Sequence, residues 1–231
     1  MTEQLATASS FIEVIRARSS PREFLPDPLP LEVIRGVLED AQTAPSHSNT
    51  QPWMVHVVSG ATRDELSAEL LAAHDEQRPS SDFTATYGDG TYLRRSQHHG
   101  AALYGRLGIA RHDQTRRNEV VRDNLRFYGA PHVALLFMPQ LGDGVRAGSD
   151  VGMYAQNFLL SLTARGFHGI PQAVHGAYAD TVRTVLGVSD DLKLLFGISF
   201  GTAKADSPVR SLDIGRVPLD ASVVLHDTPL W

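Results

Sequence analysis

The segment RARSSPREF, residues 16–24, places three arginines and two serines where a short predicted helix ends and the chain turns. Arginine presents a planar fork of N–H donors, which can hold a phosphate through paired, charge-assisted hydrogen bonds. Each hydrogen bond to a charged group contributes on the order of 1.5–3 kcal/mol. The segment therefore predicts a phosphate site. The alternative is a solvated basic patch at a helix end, where cations complement the helix dipole.

A second polar segment, APSHSNTQPW at residues 44–53, leads directly into an apolar run that we predict to be a strand. Loops of this kind present hydrogen-bonding groups on a rigid base. A flat heterocycle with carbonyls and ring nitrogens on its edge requires such groups. A capping and turn segment with no further role is the alternative.

The apolar spacing around these segments predicts many helices and few strands. Ser10 is expected to cap a first helix that buries Phe11, Val14 and Ile15. Other helix starts are predicted at a capping box of Thr62 and Glu65 and at Asp180. Strands are predicted over residues 53–58, 132–138 and 192–200, and residues 169–172 are interpreted as a tight connection. Few strands among many helices favour one α+β domain over residues 1–231, with helices on the faces of a sheet.

Composition excludes several classes of protein and site. The 231 residues include no cysteine, so disulfides, thiol nucleophiles and cysteine-ligated metal centres are excluded. A formal net charge of −5 gives no general attraction to nucleic acid or to anionic membranes. Residues 1–10 have no apolar signal-peptide core, and no apolar run approaches the roughly 20 residues that span a bilayer. We therefore expect a cytoplasmic protein with no nucleic-acid or membrane partner.

Taken together, the segments at 18–24 and 44–53 resemble the N-terminal signature of the FMN-dependent nitroreductase family. Later features follow in the family's order: Gln156-Asn157, Arg165-Gly166, and residues 169–172, 196–201 and 215–219. The resemblance implies a three-layer α+β sandwich with a mixed, mainly antiparallel sheet. It also implies an intertwined homodimer with a flavin at each subunit interface. In that dimer residues 202–231 would wrap around the partner, and residues 75–128 would form a cap or lid.

The same resemblance assigns the cofactor site residue by residue. The phosphate and ribityl chain of FMN would be held by Arg18, Ser20 and Arg216, with Arg16 and Ser19 beside them. The flavin ring would be lined by Pro45, Ser46, Asn49 and Gln51, and the backbone of Pro171, Gln172 and Ala173 would lie near its N5. Arg22 would lie at the pyrimidine edge. Because two-electron reduction leaves negative charge there, a fixed cation at that edge stabilises the reduced flavin.

The implied reaction is a ping-pong transfer of hydride from NADH or NADPH to a nitroaromatic or quinone-like acceptor. Since N5 of the flavin carries the hydride, no catalytic side chain and no metal are expected, and Arg22 acts only electrostatically. Residues 122–131 resemble the nitroarene- and nitrobenzoate-reducing branch of the family. That likeness implies that Asn124 and Arg126 lie near the flavin or its acceptor. The rings of Phe127 and Tyr128 could stack on an aromatic acceptor or equally pack a dimer interface.

Two alternatives remain beside the reductase. GISFG at residues 197–201 matches the nucleophile elbow of serine hydrolases, with Ser199 followed by Asp206 or Asp213 and then His226. An elbow requires a helix after the serine, and residues 201–208 do not favour one. The other alternative is a flavin-binding sensor without turnover. No histidine spacing indicates a metal, and no GxGxxG follows a predicted strand.

Overall fold

The computed structural model describes residues 10–210, 212 and 214–226. In this part of the chain the helices are α1 (Phe11–Ala17), α2 (Leu31–Ala41), α3 (Gly60–Asp75), α4 (Thr91–Arg106), α5 (Gln114–Leu125), α6 (Val145–Ala164) and α7 (Ala179–Leu186). The strands are β1 (Met54–Ser59), β2 (His132–Pro139), β3 (His168–Gln172) and β4 (Leu192–Gly201). Short 3₁₀ turns lie at His47–Asn49, Phe127–Gly129, Ala173–Ala177 and Leu219–Ala221.

The strands form one sheet in the order β1-β2-β4-β3. Each neighbouring pair is antiparallel, and a parallel pairing occurs in the described residues as the isolated bridge between Ser80 and Tyr178. The central strand β2 is an almost continuous apolar run, because it is buried on both faces. The order leaves β1 and β3 as the two edges of the sheet.

Helices cover both faces of the sheet. Successive side chains of a strand point to opposite faces. Ala134, Leu136 and Met138 of β2 therefore join one core with α2 and α6. Val133, Leu135 and Phe137 join a second core with α3 and α7. This arrangement confirms the three-layer α+β fold that the sequence predicts.

Helix starts agree with the sequence in one case and differ in two. Ser10 caps α1 in a capping box with Glu13, as the sequence predicts in part. The prediction of a Thr62–Glu65 capping box is wrong. Helix α3 begins at Gly60, directly after β1, so Thr62 already lies in its first turn. Asp180 likewise lies in the first turn of α7, and Tyr178 holds the cap position.

The apolar residues of α1 are less buried than expected. Val14 is buried, whereas Phe11 and Ile15 remain 66% and 43% exposed. The helix has only seven residues and contacts α6 through one face, so its other apolar side chains point to solvent.

Residues 168–172 form strand β3, not the predicted tight connection. Gly169 and Pro171 hide the strand pattern, yet both fit the position. Pro171 lies on an edge strand, where a missing N–H is tolerated. A Cβ on residue 169 would lie 2.9 Å from Leu159 Cδ2, so glycine lets the strand pack against α6 without displacing that side chain.

The predicted cap or lid is tied to the body of the domain at its start. The Asp82 carboxylate accepts hydrogen bonds from Arg183 Nη1 at 2.7 Å and from the Leu194 backbone N–H at 2.8 Å. Both charged side chains are buried, at 6% and 7% exposure. Ser80 N–H also donates to the Ala177 carbonyl at 2.8 Å. The predicted lid is therefore anchored at Asp82, and Leu125 and Phe127 near its other end are buried in the second core.

The C-terminal segment after β4 first packs against residues 23–25 of the same chain and is then exposed. The Leu25 N–H donates to the Thr202 carbonyl at 2.8 Å, and the Lys204 N–H donates to the Glu23 carbonyl at 3.0 Å. Residues 215–226 are exposed and include apolar side chains such as Leu219 and Val224. In the described ranges, none of the helices combines the length and apolar character needed to cross a bilayer.

Candidate functional site

Two guanidinium groups approach each other where α1 ends. Arg18 is the C-cap of α1, and its Nη1 donates to Ser20 Oγ at 3.2 Å. Partial burial, together with the positive charge of Arg216, lowers the pKa of Arg18. Within the described residues, neither arginine has a carboxylate at ion-pair distance. Two cations held together without an acid suit a phosphate dianion.

Two neighbours predicted to share this site differ in exposure. Arg16 lies in the last turn of α1 and is exposed, whereas Ser19 is half-buried in the turn that follows. Arg16 can therefore approach a phosphate only from the solvent side.

Arg22 lies at the other end of the arginine segment and contacts three groups. Its guanidinium donates to the Ser20 carbonyl at 3.4 Å and to His99 Nε2 at 3.2 Å. It also hydrogen-bonds the Tyr128 hydroxyl, whose pKa is raised to about 12, chiefly by burial. Burial and the charge of Arg22 lower the pKa of His99, so its imidazole is neutral and can accept the hydrogen bond. The sequence does not indicate this role of His99. The one signal was that the His98-His99 pair departs from the family's pattern.

The four residues predicted to contact the acceptor separate into two pairs. Asn124 and Tyr128 lie beside Arg22, with a hydrogen bond between their side chains. Phe127 is fully buried, and its ring meets that of His175 edge-on at 5.2 Å. Arg126 is held at the surface by Glu119 and Asp123. The structure therefore brings Tyr128, with Asn124 bound to it, to Arg22, and Arg126 lines the same surface cavity as Arg22 and Tyr128.

The side chain of Gln172 is bound within the core. Its Nε2 donates to the Asn124 carbonyl at 3.0 Å, and its Oε1 accepts a hydrogen bond from the Ser199 hydroxyl. The residues on either side, Pro171 and Ala173, are exposed. The Gln172 side chain is therefore not free to contact a ligand, and the predicted contact of residues 171–173 with the flavin would be made by their backbone.

The hydrolase alternative is wrong. Ser199 is fully buried inside β4, which continues in extended conformation to Gly201 without the turn and helix of a nucleophile elbow. Its hydroxyl is already bound to Gln172. Asp206 and His226 are exposed, and Asp213 lies outside the described residues.

The polar loop 44–52 has an unusual backbone. Ser48, Asn49 and Gln51 have positive φ angles of 51°, 56° and 48°. Such angles are uncommon outside glycine, and they concentrate at binding sites where the surrounding structure enforces them. The Gln51 N–H donates to Ser46 Oγ at 3.0 Å and closes the loop. Asn49 and Pro45 are exposed.

The loop and the end of β3 lie at opposite edges of the sheet. The loop precedes β1, whereas Gln172 ends β3. Three interstrand spacings of about 4.8 Å separate those strands, or about 14 Å. In the residues that the structure describes, no hydrogen bond or ion pair joins Ser46, Asn49 or Gln51 to the arginine segment. The loop and the arginine segment are therefore two groups of predicted site residues that make no direct polar contact in the described part of one chain.

Known proteins similar to this chain agree with the resemblance. The model of the Nitroreductase family matches residues 15–202. The nitroreductase NfnB of Mycolicibacterium smegmatis is 46% identical over 220 residues, covering 94% of this chain and 92% of the relative. A 4-nitrobenzoate reductase of Pseudomonas putida is 32% identical over 209 residues, covering 89% and 91%.

Solved structures agree as well. The FMN-dependent nitroreductase NfnB from Mycobacterium smegmatis, in complex with NADPH, superposes with a TM-score of 0.89 at 44% identity. The superposition covers 94% of this chain and 97% of that one.

Proposed function

This chain belongs to the nitroreductase family, and from that membership we propose that it is an FMN-dependent oxidoreductase that reduces nitroaromatic compounds with NADPH. Its relatives named as nitroreductases and nitrobenzoate reductases align over most of their length. The observation that carries the proposal is the approach of Arg18 to Arg216 with no carboxylate beside them in the described residues. From this pair the arginine segment leads to Arg22, which binds Tyr128. That layout matches a ligand with a phosphate at one end and a polar ring at the other.

Each part of the arginine segment has a separate task in holding FMN. Arg18 and Arg216 would bind the phosphate, with Ser20 orienting Arg18 through its hydroxyl. Arg22 would lie at the pyrimidine edge, and its fixed charge would favour the reduced state. When bound, FMN supplies the redox chemistry, which is hydride transfer from NADPH and then to the acceptor.

The acceptor side of the site would be formed by Asn124 and Tyr128. Because the Tyr128 pKa is raised to about 12, its hydroxyl stays protonated at neutral pH and can donate a hydrogen bond. The Arg22 guanidinium has only donors, so it donates to the Tyr128 oxygen and leaves the Tyr128 O–H free to donate to another group. A nitro group carries two acceptor oxygens, which a fixed donor and the Asn124 amide would orient. Quinone-like acceptors present carbonyl oxygens and would be recognised in the same way.

The protein would act as a homodimer with one flavin at each subunit interface. The loop precedes β1 and Gln172 ends β3, and these strands are about 14 Å apart, so a second copy would bring its own loop to the ring. Exposed apolar residues of α1 and of residues 215–226 give the partner surface to cover. A closed two-fold dimer would then contain two equivalent sites.

Rapid anaerobic mixing tests the catalytic proposal. NADPH added to the purified FMN-loaded protein is expected to bleach the flavin absorbance, and 4-nitrobenzoate is expected to restore it. Steady-state NADPH oxidation should then depend on the nitroaromatic. A yellow protein whose flavin NADPH does not reduce would instead support the non-turnover sensor. A protein that folds but does not bind FMN would refute both.

A further inference from the structure

In the last turn of α5, two side chains hydrogen-bond the backbone carbonyl of Asn124. The final carbonyls of a helix have no partner within the helix and need donors from elsewhere. The Asn124 carbonyl receives Gln172 Nε2 at 3.0 Å and lies 3.3 Å from His175 Nε2. Both donors belong to the end of β3 and the 3₁₀ turn that follows it. We call Asn124, Gln172, His175 and Ser199 the strand-end network.

Ser199 fixes the direction of the Gln172 amide. An amide can present either its oxygen or its NH₂ group to a neighbour. The Ser199 hydroxyl donates to Gln172 Oε1, so the NH₂ group faces the Asn124 carbonyl. Both Ser199 and Gln172 are buried, so water does not compete for these bonds.

His175 is held in one protonation state and one orientation. Its side chain is fully buried, and burial lowers its pKa to about 4. The neutral ring donates from Nε2 to the Asn124 carbonyl, which leaves Nδ1 without a hydrogen-bond partner. A Cβ on residue 197 would lie 2.2 Å from Nδ1, so the glycine of β4 makes room for the ring. A leucine or phenylalanine would avoid the unsatisfied nitrogen, yet the chain keeps a donor at this position.

The network lies directly before a strained turn. Phe127 and Tyr128 have φ angles of 58° and 53°, which side-chain-bearing residues rarely adopt. Such angles persist where the surrounding structure enforces them. The Tyr128 carbonyl accepts the Phe24 N–H at 3.1 Å, and its hydroxyl meets Arg22, so the turn connects the network to the arginine segment.

We propose that His175, with Gln172 and Ser199, is a positioning residue that holds Asn124 and Tyr128 against the redox-active end of the site. This inference rests on the proposed function for its catalytic consequence, but its structural content stands on the contacts above. His175 touches neither the arginine segment nor a solvent-accessible surface. Its loss should therefore weaken the step that uses the acceptor and leave FMN binding intact.

The test compares His175→Leu, which removes the donor, with His175→Gln, which keeps an N–H. Ser199→Ala is a second route to the same effect, because it frees the Gln172 amide to turn over. His168→Phe, at the other end of β3, is the matched control. The measurements are FMN affinity, the rate of flavin reduction by NADPH, and the rate of reoxidation by 4-nitrobenzoate.

We expect His175→Leu to slow reoxidation by about tenfold, as the loss of one buried hydrogen bond predicts. FMN affinity and the reduction rate should stay within about twofold, and His175→Gln should recover most of the lost rate. A parallel fall in FMN affinity and in both rates would show a merely structural role and overturn the proposal. Unchanged reoxidation in both His175→Leu and Ser199→Ala would also overturn it.

Amide exchange separates this proposal from the proposed function. His175→Leu should speed exchange in residues 124–130 and at Phe24, and it should leave α6 unchanged. If the wild-type protein reduced no nitroaromatic, the proposed function would fail, but the exchange pattern would still decide the positioning role. Exchange in residues 124–130 that matches the wild type would refute it.

Discussion

The two edges of the sheet treat their polar groups in opposite ways. At the β3 edge, Gln172 and Ser199 are buried and bind one another, and the chain itself fixes the geometry. At the β1 edge, Asn49 and Gln51 are exposed on a loop with left-handed backbone, and their side chains face outward. Within one chain the first group of residues has its hydrogen bonds satisfied. Under the proposed function, the loop would meet the flavin of a second copy.

The largest effect is expected at the phosphate end of the β3 half. Replacing both Arg18 and Arg216 by alanine removes two charge-assisted contacts, so the Kd for FMN should rise by at least about a hundredfold. Calorimetry at low salt measures it. Arg35→Ala, on the exposed face of α2, is the control and should bind as the wild type does. Wild-type affinity in the double variant would remove the phosphate role from these residues.

Acid should destabilise the β3 half through His175. Above pH 6.5 this histidine is neutral in both the folded and the unfolded chain. Its folded pKa is about 4, so between pH 6.5 and 4 the unfolded chain binds a proton that the folded chain does not. The free energy of unfolding should fall by about 3 kcal/mol across that window.

Denaturant unfolding at several pH values checks this prediction. Other histidines with lowered pKa values contribute to the wild-type curve, so the comparison is between wild type and His175→Leu. The variant should lose less stability between pH 6.5 and 4. Parallel curves for the two proteins would contradict a buried neutral His175.

Arg22 should affect the flavin potential more than flavin binding. Without its charge the reduced state loses a stabilising contact, so Arg22→Ala should make the two-electron potential more negative by about 30 mV. Arg22→Lys keeps the charge and should shift the potential less. Potentiometric titration of the FMN-loaded protein gives both values, and an unchanged potential in Arg22→Ala would exclude the electrostatic role.

The smallest effect is expected from the backbone strain at Ser48 of the loop. Ser48 has a φ of 51°, so Ser48→Gly should relieve strain and raise the free energy of unfolding by up to about 1 kcal/mol. Thr50, with a φ of −72°, is the matched control, and Thr50→Gly should destabilise the protein slightly. Equal effects at the two positions would mean that the loop stores no backbone strain.

Much of the fold follows from local patterns. The apolar runs at residues 132–138 and 192–200 predict β2 and β4, because these strands lie in the centre of the sheet and are largely buried. Strand β3 was missed because Gly169 and Pro171 obscure its pattern. The exposure of Phe11 and Ile15 was not foreseen either, since periodicity indicates a face but not what covers it.

The site is less predictable than the fold. The approach of Arg18 to Arg216 spans most of the chain, and only the family resemblance implied it. The strand-end network joins α5, β3 and β4 through side chains with no sequence motif in common. Ser199 shows the limit of motifs: it fits a nucleophile pattern, yet it lies in the middle of a strand and orients a glutamine.

Mixing two defective proteins tests the central claim, which is that one flavin lies between the halves of two copies. One variant carries Arg18→Ala and Arg216→Ala, and the other carries Ser46→Ala, Asn49→Gly and Gln51→Gly. Each alone should bind little FMN. After denaturation together and refolding, each mixed dimer should contain one intact site, so FMN binding and nitroaromatic reduction should reappear. If the mixture stays as inactive as its parts while refolded wild type recovers, both halves serve a flavin within one chain and the account is contradicted.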